Sequence, residues 1–158
     1  MKKSIDVAKK LIKEFEGCKL QAYLCPAGKW TIGYGNTYYE DGKPVQKGDI
    51  INQNRAEVLL DVIALKFEKD VRTLVKAKAN ENQMGALIDF AFNLGSDIDA
   101  DTIAEGLGDS TLLKKVNANP NDPTIRAEFA KWNKANGKVL DGLTRRRKAE
   151  ADVYFSAV

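Results

Sequence analysis

The chain has 158 residues, 44% hydrophobic and 30% charged, with a formal net charge of +3 and no histidine. That length suits one domain of ordinary size, and the apolar content excludes a disordered chain. Without histidine, Cys18 and Cys25 cannot assemble a zinc site, and the usual neutral-pH base is missing.

The opening MKKSIDVAKKLIKEFEG carries lysines throughout and no continuous apolar core, so it reads as neither a secretion signal nor a membrane span. Ser4 caps a predicted helix in which Ile5, Ala8, Leu11, Ile12 and Phe15 fall on one face. Gly17 fits the left-handed stop, which leaves Glu16 in the last turn. From Gln21 the pattern turns to β-formers. QAYLC and WTIGYG flank the turn residues PAGK, which predicts a β-hairpin, and DGKPVQKGD continues as turn and loop.

Asn54 with Glu57 makes a capping-box start for a long helix reaching about Leu74, anchored by Val58, Leu59, Val62, Ile63, Leu65 and Val71. Asn80 and Gln83 open the next helix in the same way. Its inner face is Met84, Leu87, Ile88, Ala91 and Phe92, and Gly95 ends it. The acidic, glycine-bearing loop SDIDADTIAEGLGD leads to a short helix, STLLKKVN. Asp122 and Pro123 start a helix carrying Ile125, Phe129 and Trp132 and closed by Gly137. KVLDG connects it to a final helix, LTRRRKAEADVYF.

Helix, small β-unit, then helices only is an α+β order. It predicts a single domain over 1–158, with a small N-terminal lobe of roughly 1–60 and a larger helical lobe of roughly 75–158. The helix of about 54–74 joins them, and the cleft between the lobes is the expected ligand site.

The chemistry concentrates in EGCKLQAYLCPAGKWTIGYGNT. A carboxylate at a helix C-terminus faces the negative end of the macrodipole, and burial against the hairpin acts in the same direction. Both favour a proton held by Glu16 at neutral pH, as a general acid requires; the competing reading is a solvated surface glutamate. On the second strand Thr31, Gly33 and Gly35 share one face, while Trp30, Ile32 and Tyr34 share the other and read as core. If Cys25 lies opposite Thr31, the two point to one side, over a glycine face open to a ligand or to another backbone. A twisted, bulged hairpin explains the same glycines.

Glu16, eight residues, Cys25, five residues, Thr31 resembles the catalytic pattern of the phage-type lysozymes, glycoside hydrolase family 24, the endolysins related to the T-even phage enzyme. TIGYGN at 31–36 is similar to the family's TIGYGH, and QMGALIDFAFNLG at 83–95 to its Q-x-x-A-L-x-x-F-x-F-N-x-G. STLLKKVN and KWNKANGKVLDGLTRRRKAE resemble two further segments, so the likeness runs through nearly the whole chain in order. It implies a lysozyme-like fold and hydrolysis of the β-1,4 bond from N-acetylmuramic acid to N-acetylglucosamine in peptidoglycan. Glu16 would be the general acid, and Cys25 with Thr31 would hold and activate water on the other sugar face, inverting the anomeric centre. Such a geometry separates acid and base by roughly 6.5–9.5 Å.

Two departures stand out. Cys25 replaces the commoner aspartate. A thiol is mostly protonated at pH 7, and a nearby Glu16 charge would keep it so, which leaves a minor thiolate population; a small buried hydrophobe is the other reading. Asn36 replaces the family's histidine and keeps only its hydrogen bonding. The resemblance also places Phe92, Asn93 and Ser110 along the saccharide cleft, and Thr37, which follows the glycine strand, is expected to face the sugar; Phe92 also fits a core stripe at helical spacing. A disulfide between Cys18 and Cys25 would disable the site; synthesis in a reducing compartment leaves both as thiols.

Hydrolysis needs water and two side chains, so neither a metal nor an organic cofactor is expected. The net charge favours an anionic partner, and peptidoglycan is the one implied. The run Arg145–Lys148 lacks a helix-turn-helix or stacking pattern and reads as a solvated helix face, so no nucleic acid is expected. The expectation is a monomer without stable membrane insertion, held in the host bacterial cytoplasm until a separate holin-like protein releases it to the wall. A non-catalytic wall-binding relative and a bacterial lysozyme-type toxin or bacteriocin domain are the alternatives.

Overall fold

A computed structural model describes residues 3–99 and 103–157, so part of the acidic loop at 96–109 lies outside the described residues. The described elements are α1 (Ser4–Glu16), β1 (Lys19–Leu24), β2 (Trp30–Gly33), α2 (Gln53–Leu74), α3 (Glu81–Leu94), α4 (Thr111–Ala118), α5 (Ile125–Ala130), β3 (Lys134–Ala135), β4 (Lys138–Val139) and α6 (Asp141–Tyr154). This is the expected α+β order.

The centre of the molecule is α3. Every residue from Asn82 to Ala91 is buried, so the helix is covered on all sides, mainly by α1, α2 and α6. A side chain at Gly85 would collide with Val7, so glycine is what lets α1 and α3 approach so closely. The larger core gathers Leu87, Phe90, Leu112, Ile125, Phe129 and Tyr154. A second cluster joins Ile12, Tyr34, Ala56 and Leu60. Ala8 belongs to the first core and Ile12, about one turn later, to the second, so α1 is pinned to both and its C-terminal end is fixed between them.

Several expected boundaries shift, each for a local reason. Lys3, not Ser4, occupies the cap of α1. Ser4 is buried, and its hydroxyl donates to Glu68 at 2.7 Å and accepts from Arg72 at 3.1 Å. Asn52 rather than Asn54 caps α2, accepting from the Arg55 N–H at 2.8 Å. Among the apolar anchors expected on α2, Val58, Val62 and Leu65 are exposed, whereas Ala56, Leu59, Leu60, Ala64 and Val71 make its buried face. The capping box of Asn80 and Gln83 on α3 forms as expected, and Gly95 stops that helix at φ 102°.

The helix expected to run on to Gly137 stops at Ala130. Asn136 and Gly137, both at positive φ, instead turn the chain through the two-residue strands β3 and β4. Trp132 lies beyond α5, its ring edge-on to Phe90 at 5.5 Å. Among the described residues no helix is long and apolar enough to cross a membrane.

Candidate active site

The ribbon β1–β2 is antiparallel, with Tyr23 opposite Thr31 and Leu24 opposite Trp30; an irregularity interrupts the pairing between Lys19 and Tyr23. Cys25 is therefore not opposite Thr31 as expected. It starts the turn, where its N–H donates to the Lys29 carbonyl at 2.9 Å and its carbonyl accepts from Gly28 at 2.8 Å. By strand alternation it still shares a face with Tyr23 and Thr31, one step along the diagonal.

That turn points donors at sulfur. The Lys29 N–H contributes most, followed, against some burial, by the Thr31 hydroxyl and the Ala27 N–H, and together they hold the Cys25 thiol below its ordinary value. The direction is opposite to the rise expected from a nearby Glu16 charge. The Thr31 hydroxyl also lies 3.1 Å from the Lys29 carbonyl oxygen, and its one proton serves either acceptor in turn. Thr31 is buried, so the hydroxyl has few positions to adopt. Cys18 and Cys25 are both free thiols.

The strand ends at Gly33. Ile32 and Asn36 exchange two backbone hydrogen bonds of 2.9 Å, folding residues 33–35 into a tight turn. Gly35, at φ +86°, sits in it. A side chain there would bring its Cβ within 3.0 Å of Glu16 Oε1 and 3.6 Å of Phe92 Cζ. The acid at the end of α1, the turn after β2 and the α3 ring thus meet at one point, where only glycine fits.

The other carboxylate oxygen, Glu16 Oε2, accepts from Arg146 Nη1 at 2.7 Å. Arg146 also grips Asp89 bidentately, Nε to Oδ2 at 3.0 Å and Nη2 to Oδ1 at 2.8 Å. Arg146 is 4% exposed and Asp89 fully buried, so the Asp–Arg pair is desolvated, while the half-buried Glu16 extends the chain toward solvent. Burial opposes the charge on Arg146, but the two carboxylates prevail and hold the guanidinium above its ordinary value. Phe15 and Phe92 lie 5.6 and 6.0 Å from the guanidinium, close enough for cation–π attraction.

The basic run is thus not a solvated face. Arg147 is 1% exposed and sits on Glu150, with Nη2 to Oε2 at 2.9 Å, while the same nitrogen donates to Asn93 Oδ1 at 2.9 Å. Nε and Glu150 Oε1 are 2.7 Å apart, a Coulombic contact too oblique for a hydrogen bond. Burial, then Asp89, holds the Glu150 carboxyl well above the usual range. Arg145 and Lys148 are the exposed members of the run. A run of basic letters does not reveal which arginines turn inward. The helical spacing of 146, 147 and 150 beside the buried acid at 89 was the available signal.

The remaining expected residues divide. Phe92 is half-buried, edge-on to Phe67 at 5.7 Å, and reaches the Glu16–Gly35 junction. Asn93 is half-buried and held by Arg147. Thr37 lines a cavity of about 420 Å³ with Tyr38, Leu59, Ile63 and Phe67. Ser110 is fully buried. Its hydroxyl caps α4, accepting from Leu113 N–H at 3.0 Å and donating to the Leu107 carbonyl at 2.7 Å, so it presents no surface to a ligand. Asn36 is buried and donates to the Leu59 carbonyl at 3.3 Å, with its own Oδ1 left unpaired. On the other side of Glu16 an open groove of about 790 Å³ runs between α1 and α6, walled by Phe15, Leu143, Arg145 and Lys148.

Comparison with known proteins agrees with this architecture. A family model described as phage lysozyme matches residues 13–150. An endolysin of Acyrthosiphon pisum secondary endosymbiont phage 1 is 38% identical over 151 residues, covering 93% of this chain and 94% of that protein. The endolysin of Bacillus phage B103 is also 38% identical, over 148 residues, but this chain spans only 51% of its length. Among solved structures, an endolysin from Escherichia coli O157:H7 phage FAHEc1 superposes with a TM-score of 0.83 at 34% identity, covering 96% of this chain and 92% of that one. The muramidase domain of SpmX from Asticaccaulis excentricus superposes with a TM-score of 0.77 at 30% identity, covering 95% of each. The chain belongs to the phage lysozyme family and is a hydrolase of the lysozyme type.

Proposed function

We propose that this hydrolase is an endolysin muramidase that cleaves the β-1,4 bond between N-acetylmuramic acid and N-acetylglucosamine of peptidoglycan with inversion, lysing the bacterial host. Glu16 is the general acid on the glycosidic oxygen. The Cys25 thiolate and the Thr31 hydroxyl hold the attacking water on the far face of the sugar and take its proton. Phe92 and Thr37 face the glycan, and Arg147 fixes Asn93 beside it.

The observation that carries this reading is the meeting of Glu16 with Gly35, on the ribbon whose other turn lowers the Cys25 thiol. A thiol held below its ordinary value by the donors of this turn is better suited than an ordinary cysteine to do the work of the family's aspartate. The protein acts as a monomer, passes from the host cytoplasm to the wall through a lesion made by a separate holin-like protein, and forms one domain whose two lobes flank the cleft.

The test is release of reducing ends from purified peptidoglycan. Wild type releases them with inverted anomeric configuration, and Cys25→Asp retains turnover. Glu16→Ala abolishes it without loss of fold, because Arg146 keeps its grip on Asp89. A wild-type protein that binds the wall without releasing reducing ends contradicts the reading and identifies a wall-binding relative instead.

A further inference from the structure

Tyr23 stands within the site, and the chemistry above leaves it unused. It pairs directly with Thr31 across the ribbon and shares a face with Cys25. The side chain is half-buried, and it belongs neither to the two clusters above nor to the one formed by Ile32, Val45 and Leu59. Among the described residues its hydroxyl makes no hydrogen bond. Burial first, then the Glu16 carboxylate and the Cys25 sulfur, hold the phenol above its ordinary value, so it remains a neutral donor. Both reacting groups are thus within electrostatic reach of this one side chain. The sulfur already has its donors in Lys29, Thr31 and Ala27, so the phenolic proton is left for something that enters the cleft. A ring with an apolar body and one polar tip suits a sugar, which offers C–H faces and oxygen acceptors together.

We propose that Tyr23 is a further substrate-binding residue of this hydrolase: its hydroxyl donates to an oxygen of the sugar that lies between Glu16 and the Cys25–Thr31 pair. The proposal rests on the reading of the site as a glycan-cleaving one, and its test separates the two. Tyr23→Phe removes only the oxygen. In a Glu16→Gln background, where glycan is not cleaved, titration with soluble fragments of alternating N-acetylmuramic acid and N-acetylglucosamine is expected to give an affinity about tenfold weaker when Tyr23 is Phe. With Glu16 intact, kcat/KM falls by the same factor. The thermal midpoint and the pH profile of Cys25 alkylation stay where they are in wild type.

Equal affinity with and without the hydroxyl overturns the proposal. So does a shifted alkylation profile, which would place the hydroxyl on sulfur rather than on sugar. Weaker binding in a protein whose wild type releases no reducing ends would leave Tyr23 assigned and the muramidase reading refuted.

Discussion

Arg146 Nη1 donates to Glu16 Oε2 at 2.7 Å, joining two residues 130 positions apart in the chain. Because the same guanidinium is locked on Asp89 inside α3, the carboxylate at the C-terminal end of α1 is aimed by the buried central helix. Positioning of this kind turns a flexible glutamate into an oriented one before substrate arrives.

Arg146→Ala therefore affects both stability and turnover. It leaves Asp89 as an uncompensated buried charge, a change that costs about 3–5 kcal/mol. Chemical denaturation measures that loss, and kcat falls in whatever fraction remains folded. Arg146→Lys keeps a charge but not the fork, so it recovers part of the stability and less of the turnover.

Gly35→Ala tests the junction directly. The residue sits at φ +86° with Glu16 Oε1 3.0 Å from where a Cβ would be, so the substitution strains the backbone and pushes the acid. A loss of about 1–3 kcal/mol is expected from the left-handed conformation alone. Turnover should drop by more than the folded fraction does, which circular dichroism and reducing-end release measured together will show.

The pH dependence of activity should report Cys25. Its thiol is lowered, chiefly by the Lys29 N–H, so the thiolate proposed as the base forms at lower pH than in an ordinary cysteine. The ascending limb of kcat/KM then lies below the ordinary thiol value of about 8.5. Cys25→Asp moves that limb down into the carboxylate range. Iodoacetamide inactivates the wild type along the same limb and spares the aspartate variant.

Acid unfolding should trace Glu128. Its carboxylate is 5% exposed and bound by Lys115 at 2.8 Å and Lys131 at 3.0 Å. The Lys115 hydrogen bond, working against burial and helped by Lys131, holds it below the usual value. A carboxyl depressed in the folded state adds stability above its unfolded pKa of about 4.3 and loses it as pH falls through the folded value. Glu128→Gln should therefore flatten the acid limb of the thermal midpoint and lower the neutral plateau.

Much of this was legible in the letters. Spacing, caps and helix-starting residues located the six helices of the described residues, and the capping box of Asn80 and Gln83 placed the start of α3, because caps and amphipathic faces are local. The intervals Glu16–Cys25–Thr31 and the order of the other motifs pointed to the lysozyme family, since spacing along a short ribbon survives in the sequence. Local chemistry failed where two candidates lay close together. Asn52 took the cap expected of Asn54, and Ala130 ended a helix that the glycine at 137 was expected to close.

The chain by itself determined the alternation of elements, the turn chemistry and which residues can donate or accept a proton, because these depend on neighbours a few positions away. Folding decided what depends on distant neighbours. The register put Tyr23, not Cys25, opposite Thr31. Burial converted Arg146 and Arg147 from apparent surface charge into internal braces, and it left Ser110, whose cap on α4 is local, with no exposed surface. Those outcomes follow from desolvation: a charge or hydroxyl enclosed on three sides must find its partner inside the protein, and only the packing of α1, α3 and α6 says which partner is there.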